Sequence, residues 1–382
     1  MRLYENTIEQ FKSDVIENKI AGILTKNFET SFGRRTSSSE IHSWSNSLNF
    51  VKNAFDYSDL KDDYVVVEYQ IPYSSSRIDV LLFGKDISMK ENVLVIELKQ
   101  WSNENVTESK NEGNVIVNYG RNKIETEHPC LQVQGYHFWL NDFVSVFEEP
   151  QKIDLSSCVY CHNYSRNTND ILYSPRFKIL IDKYPLFSKD DIKDLGQYLS
   201  KRLSQGDGLE VFNHFIKSPI KPSKKLLEHT KEMINKQQIF NLIDDQIPAY
   251  NAIMHKAMAL SSSKKKSIII VKGGPGTGKS VIALEVMAEL MRKGKMVYHA
   301  TGSSAFTNTL RNILGARLKS QFKFFNSFSQ HKDNSVDVLI CDEAHRIRKT
   351  SQSRYTPKSQ ISGLPQMDEI IKCAKLSIFF ID

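Results

Sequence analysis

Gly273-Gly274-Pro275-Gly276-Thr277-Gly278-Lys279-Ser280 follows the apolar run Ser267-Ile268-Ile269-Ile270-Val271 and precedes the helical pattern Val281-Ile282-Ala283-Leu284. A buried strand, a glycine-rich turn and a helix start in that order constrain the fold to a layered α/β sheet. Glycines let the backbone curl closely around phosphate oxygens, and the helix start aims N–H groups at them. Gly274, Gly276, Thr277 and Gly278 supply that cradle, Lys279 reaches the β- and γ-phosphates, and the Ser280 hydroxyl ligates Mg²⁺. The segment predicts binding of ATP with Mg²⁺.

A chain of 382 residues exceeds one ordinary domain and predicts two or three. With 40% hydrophobic and 25% charged residues, the composition is that of globular protein. No apolar run approaches the ~20 residues that span a bilayer, and the N-terminus lacks a signal-peptide pattern, so no membrane partner is expected. Five scattered cysteines fit a reduced, cytoplasmic protein. Residues 1–220 hold 25 basic against 31 acidic residues, net −6, whereas residues 221–382 hold 26 against 13, net +13. A basic second half suits a polyanion such as DNA or RNA.

Residues 1–36 read as a helical extension of one or two helices, and Ser37-Ser38-Ser39-Glu40 as the cap of a further helix. Runs at 64–69, 77–83 and 92–98 read as strands. A helix is expected at 129–147, strands at 155–164 and near 177–182, and helices at 188–204 and 207–217. These place one domain at 37–217. A helical linker with a glutamine segment is expected at 218–262. From 263 to 382 strands at 267–271, 295–301, 336–341 and 376–381 alternate with helices at 279–293 and 304–315, which predicts a parallel sheet.

The run Val336-Asp337-Val338-Leu339-Ile340-Cys341-Asp342-Glu343-Ala344-His345 ends a buried strand in two carboxylates. Asp342 is placed to hold the Mg²⁺ bound by Ser280, and Glu343 to orient the attacking water. The Asp-Glu-Ala-His string resembles helicase motif II. Asp245-Gln246 resembles the glutamine segment of superfamily 1 helicases, which implies that Gln246 reads adenine. His299-Ala300-Thr301-Gly302-Ser303-Ser304 resembles motif Ia, which touches the nucleic-acid backbone. Ser377-Ile378-Phe379-Phe380-Ile381-Asp382 resembles the opening of motif III, implying an incomplete motor with weak ATP hydrolysis and a second chain as the source of the other RecA-like lobe.

In the first half, Ile78-Asp79 and Val95-Ile96-Glu97-Leu98-Lys99 resemble the PD-(D/E)xK nuclease core. Carboxylates on adjacent strands hold a hard divalent cation, and the strand period puts Glu97 and Lys99 on one face. Asp79 and Glu97 are thus expected as Mg²⁺ ligands, and Lys99 as the group that positions the nucleophile or neutralises charge developing on phosphate. Gln132 and Tyr136 resemble the accessory Gln-x-x-x-Tyr pair of RecB-like nucleases, and Glu40 lies where several such nucleases place another carboxylate. Cys158-Val159-Tyr160-Cys161-His162 matches a haem-attachment pattern and half of a zinc site, but its place in an apolar strand favours core cysteines.

Glu68-Tyr69-Gln70-Ile71-Pro72, Arg77-Ile78-Asp79-Val80, Glu97-Leu98-Lys99-Gln100-Trp101-Ser102 and Asp342-Glu343-Ala344-His345-Arg346-Ile347-Arg348 resemble the bacterial nuclease–helicase proteins of the DUF2075 group, with a Schlafen group 3-like motor. The resemblance implies a restriction-endonuclease-like mixed sheet with flanking helices, followed by one RecA-like lobe with a parallel sheet. It implies an ATP-binding nuclease–helicase acting on DNA or RNA. Two alternatives stay open: an ATP-gated nucleic-acid switch, and a truncated remnant without cleavage or unwinding.

Overall fold

The structure is a computed structural model that describes residues 1–33, 35–72, 76–120, 122–148, 153–167, 170–221, 223, 246–260, 266–274, 276–304, 307, 318–352, 356 and 361–382. Most of the expected helix at 304–315, most of the 218–262 linker, Asp245 and Pro275 lie outside the described residues. The chain forms two compact units. The first comprises Met1–Ile71, Ser76–Asn141 and Val146–Pro219, and the second is chiefly Ile220–Asp382.

In the first unit the chain runs β1 (Tyr4–Thr7), α1 (Ile8–Ile16), α2 (Ile20–Phe32), α3 (Ser38–Asp56), β2 (Tyr64–Gln70), β3 (Arg77–Lys85) and β4 (Glu91–Lys99). Next come β5 (Val106–Glu108), β6 (Asn114–Tyr119), β7 (Asn122–Glu127), α4 (Pro129–Phe143), β8 (Asp154–Cys161), α5 (Lys178–Lys183), β9 (Leu186–Ser188), α6 (Ile192–Leu203) and α7 (Gly208–Lys217). The main sheet has the order β1-β2-β3-β4-β8-β9. Its first three pairings are antiparallel and its last two parallel, so the sheet is mixed.

The apolar alternation of β2, β3 and β4 sends Val65, Val67, Val80, Leu82, Leu94 and Ile96 into one core with Phe11, Leu24, Phe28, Trp44 and Leu199. The opposite face takes α7, where Phe212 and Phe215 pack on Tyr64 and Phe83.

Three elements differ from expectation. The N-terminus opens with a strand, and β1 zips onto β2, so residues 4–32 are part of this unit rather than a free helical extension. Residues 178–183 form the helix α5, not a strand. An antiparallel three-stranded sheet, β5-β6-β7, lies between β4 and α4.

The second unit contains α8 (Ile247–Met258), β10 (Ser267–Lys272), α9 (Lys279–Arg292), β11 (Val297–Thr301), β12 (Phe322–Phe324), β13 (Val336–Asp342), α10 (Gln366–Cys373) and β14 (Ala374–Ile381). Its five strands have the order β10-β14-β13-β11-β12, and every pairing is parallel. In such sheets ligands bind beyond the carboxyl ends of the strands. The turn after β10 and the acids ending β13 both lie there.

Candidate functional site

In the first unit the site is built where β3 and β4 part. Their ladder runs to Val80↔Ile96, and one further step sets Asp79 opposite Glu97, on a shared face. Asp79 Oδ2 accepts the Leu98 N–H at 2.7 Å, so a side chain takes the place of the ladder bond. Glu97 is 2% exposed, and its Oε1 accepts a hydrogen bond from Lys99 Nζ at 2.6 Å. Lys99 Nζ also donates to Gln132 Oε1 at 2.8 Å, and Gln132 Nε2 donates to the Tyr136 hydroxyl at 2.8 Å. Gln132 and Tyr136 stand one turn apart on α4, as i and i+4 residues do. The structure therefore brings together Asp79, Glu97, Lys99, Gln132 and Tyr136.

Electrostatics follow from burial. Loss of water pushes the Glu97 carboxyl up to about 8, and the neighbouring Asp79 charge adds to the rise. Burial likewise raises Asp79 above the usual carboxylate range, against the pull of Lys99. Burial works to lower Lys99, but Glu97 and Asp79 outweigh it and keep the ammonium charged. Burial, reinforced by the same two acids, holds the Tyr136 hydroxyl protonated far above its normal range. Tyr136 is thus a hydrogen-bonding group and not a base.

Sequence reasoning missed Glu68 and Arg77. Glu68 has φ +56°, a left-handed conformation rare for a non-glycine residue within a strand. The kink breaks the alternation of β2: Tyr69 meets Phe215 on the α7 side, while Glu68 accepts from Trp44 Nε1 at 2.8 Å. Arg77 Nε pairs with Glu68 at 3.1 Å and Arg77 Nη2 with Glu40 at 2.7 Å. Burial pushes Glu68 up to about 7, opposed by Arg77. Glu40 is accordingly a partner of Arg77. The signal in the sequence was a lone acid inside the apolar run Tyr64-Val65-Val66-Val67-Glu68-Tyr69, which needs a buried partner.

Among the described residues, the four carboxyl groups of Glu40, Glu68, Asp79 and Glu97 lie against the two cations Arg77 and Lys99. Glu97 Oε2 is buried without a hydrogen-bond partner. Hard carboxylate oxygens, an orphaned buried acceptor and more acidic than basic groups fit a divalent cation, which would replace the proton that burial leaves on Glu97. Cys158, Cys161 and His162 are buried. His162 Nε2 lies 3.1 Å from Ser47 Oγ and its ring stacks on Phe50, as core residues do.

In the second unit, Gly276 and Gly278 adopt φ +78° and +80°, which the turn before α9 requires. A Cβ on Gly278 would lie 2.2 Å from Gln246 Nε2, the movable end of that side chain, and the φ of +80° strains any other residue there. Gln246 precedes α8, and its Nε2 donates to the Thr277 carbonyl at 2.9 Å. Thr277 Oγ1 donates to the Gly274 carbonyl at 2.8 Å. Lys279 Nζ donates to the same carbonyl at 2.9 Å and pairs with Asp382 at 2.6 Å.

Asp342 Oδ1 accepts the Glu343 N–H at 2.9 Å. Burial tends to raise Asp342, yet His299 and the Ser280 hydroxyl hold it below its usual range. Glu343, at φ +51°, pairs with Arg346 at 2.9 Å. His299 and Thr301, expected to touch a nucleic-acid backbone, are instead each 1% exposed.

Residues 46–162 match the model of the nuclease-related domain, and residues 266–382 match that of the Schlafen group 3 DNA/RNA helicase domain. The chain thus carries a region similar to the nuclease-related domain, followed by a region similar to the Schlafen group 3 helicase domain. The RecBCD enzyme subunit RecD of Buchnera aphidicola subsp. Schizaphis graminum (strain Sg) is 28% identical over 195 residues. That match covers 39% of this chain and 31% of the relative, so the chain spans under a third of that protein's length. The nuclease-related match contains Asp79, Glu97, Lys99 and Gln132, and the helicase match contains the loop through Ser280 and the Asp342-Glu343 pair. Among the described residues no helix is long and apolar enough to cross a membrane.

Proposed function

We propose that this chain is a cation-dependent nuclease acting on DNA or RNA, joined to an ATP-binding lobe. The observation that carries the reading is the Tyr136–Gln132–Lys99–Glu97 hydrogen-bond chain ending beside Asp79. Asp79 and Glu97 would hold Mg²⁺, which supplies Lewis-acid polarisation of a phosphodiester oxygen. Lys99, aimed by Gln132, presents an N–H and a positive charge to the attacked phosphate, and Gln132 is fixed in turn by the protonated Tyr136. The test is Gln132→Ala: cleavage falls by about 10–100-fold, the range seen when an outer partner is lost, while DNA binding by filter retention stays unchanged. Unaltered cleavage in that variant would remove the role of the chain of bonds.

Cation binding competes with the proton on Glu97. Because the folded group ionises only near pH 8, Mg²⁺ affinity at limiting Mg²⁺ climbs by about tenfold per pH unit from pH 6 and levels off above 8. A flat profile measured by calorimetry between pH 6 and 8 contradicts this assignment.

In the helicase-type lobe, Gly274, Gly276, Thr277 and Gly278 surround the β- and γ-phosphates, and Lys279 leaves its own loop carbonyls to meet them. Ser280 and Asp342 would hold the Mg²⁺ that neutralises phosphate charge. Glu343 orients water, and Gln246, anchored to Thr277, lies at the loop's edge to read the base. Lys279→Ala abolishes stabilisation by ATP, which at 100 times Kd amounts to about 2.7 kcal/mol in the parent. Undiminished ATP stabilisation of that variant in a melting experiment excludes the role given to Lys279.

A further inference from the structure

His299 has no part in the reading above, and it is buried beside Asp342. An imidazole placed out of water needs hydrogen-bond partners for its ring nitrogens. Its Nε2 stands 3.6 Å from Asp342 Oδ2, with both side chains 1% exposed. The parallel register explains the approach: Thr301 lies beside Asp342 and His299 beside Ile340. Alternation therefore puts His299 and Asp342 on the same face of the sheet, one step apart on adjacent strands. The Phe322 ring closes the imidazole in at 5.3 Å.

Asp342 is held at one oxygen and faced by the imidazole at the other. The Glu343 N–H fixes Oδ1, and the imidazole faces Oδ2 from inside the sheet. A distance of 3.6 Å is just longer than a hydrogen bond, as is common for such contacts before a ligand tightens them.

We propose that His299 is a positioning residue for the nucleotide's Mg²⁺: its Nε2–H donates to Asp342 Oδ2 and fixes that carboxylate toward Ser280. The role requires a ring N–H and no change of ring charge. It rests on the assignment of Ser280 and Asp342 to an Mg²⁺–nucleotide site. Partners that orient a metal-binding carboxylate carry about 10–100-fold in metal affinity, and that is the loss expected here.

The experiment measures nucleotide binding by melting and by titration, once in EDTA and once across a Mg²⁺ series, for the full chain. Compared are the parent, His299→Phe, His299→Leu and His299→Gln. Phe and Leu keep an apolar side chain without a donor, whereas Gln sets an amide N–H close to where Nε2 stands. The proposal expects His299→Phe or His299→Leu to need about 10–100-fold more Mg²⁺ for the same gain in ATP binding. ATP binding in EDTA stays at the parent value, and His299→Gln recovers most of the Mg²⁺ response.

A parent-like Mg²⁺ requirement in either donorless variant overturns the proposal. So does equal impairment of His299→Gln and His299→Phe with loss of binding in EDTA, which marks packing alone. A parent protein whose ATP binding ignores Mg²⁺ overturns the nucleotide-site assignment itself, and the role of His299 with it. Each folded variant is recognised by its nucleotide-free melting transition, so one donorless variant that folds is enough to decide.

Discussion

Arg77→Ala lowers the melting temperature of the first unit by roughly 6–20 °C. The guanidinium pairs with Glu68 at 3.1 Å and Glu40 at 2.7 Å, and Glu68 is nearly out of water. Removing one partner of a buried pair leaves the other charge uncompensated, which costs about 3–5 kcal/mol. Each kcal/mol corresponds to about 2–4 °C in a domain of 150–250 residues.

The loss grows as pH rises through 7 and shrinks in acid. Glu68, raised to about 7 by burial with Arg77 opposing, takes up a proton as pH falls through that value or a higher one in the variant. The neutral acid no longer needs its cation. The double variant Arg77→Met with Glu68→Gln regains most of the stability, because both charges leave together. Thermal melts of the single and double variants at pH 5 and 7.5 check this. A single variant as stable as the parent at pH 7.5 would show that the pair contributes nothing.

Asp79→Asn keeps the fold and loses the chemistry. The amide oxygen still accepts the Leu98 N–H that Asp79 Oδ2 now accepts at 2.7 Å, so the junction of β3 and β4 stays closed. On the proposed assignment, what disappears is one of two negative ligands for the cation, and with it several kcal/mol of transition-state stabilisation. At about 1.36 kcal/mol per tenfold, cleavage falls by about 10³-fold. Alanine at this position confounds the result, since it leaves Leu98 without its acceptor. The measurement is the initial rate of cleavage alongside a melting curve. An Asn variant that melts like the parent but cuts within threefold of it contradicts metal binding by Asp79.

Much of this was legible because both sites sit on strongly periodic strands. The run Val95-Ile96-Glu97-Leu98-Lys99 alternates so clearly that a shared face for Glu97 and Lys99 followed from period alone, and the Lys99–Glu97 pair realises it. The glycine loop was legible because only one local geometry suits Gly276 and Gly278, both at positive φ.

Illegible features depended on tertiary partners. β1 is four residues long and exists as a strand only because β2 offers an edge. In the stretch from 106 to 127, β5 and β7 are short or largely exposed, and the apolar run Val115-Ile116-Val117 of β6 was too short to announce a sheet by itself. Residues 178–183, Lys-Ile-Leu-Ile-Asp-Lys, have the apolar centre of a strand yet form a single helical stretch, a case where propensity yields to context. The kink at Glu68 reversed which residues of β2 face which core, and nothing local to the sequence signals a positive φ at a glutamate. His299 was expected near a nucleic-acid backbone only as part of the run that resembles motif Ia, whereas the parallel register with β13 puts it inside.

The most direct measurement incubates the purified chain with single-stranded DNA, plasmid and RNA in Mg²⁺ or Mn²⁺, beside EDTA controls and the Lys99→Ala variant. Cation-dependent cleavage of at least one substrate, absent in EDTA and reduced at least a hundredfold in Lys99→Ala, is the predicted result. Cutting that persists unchanged in Lys99→Ala, or a folded parent chain that cuts none of the three with either cation, contradicts it.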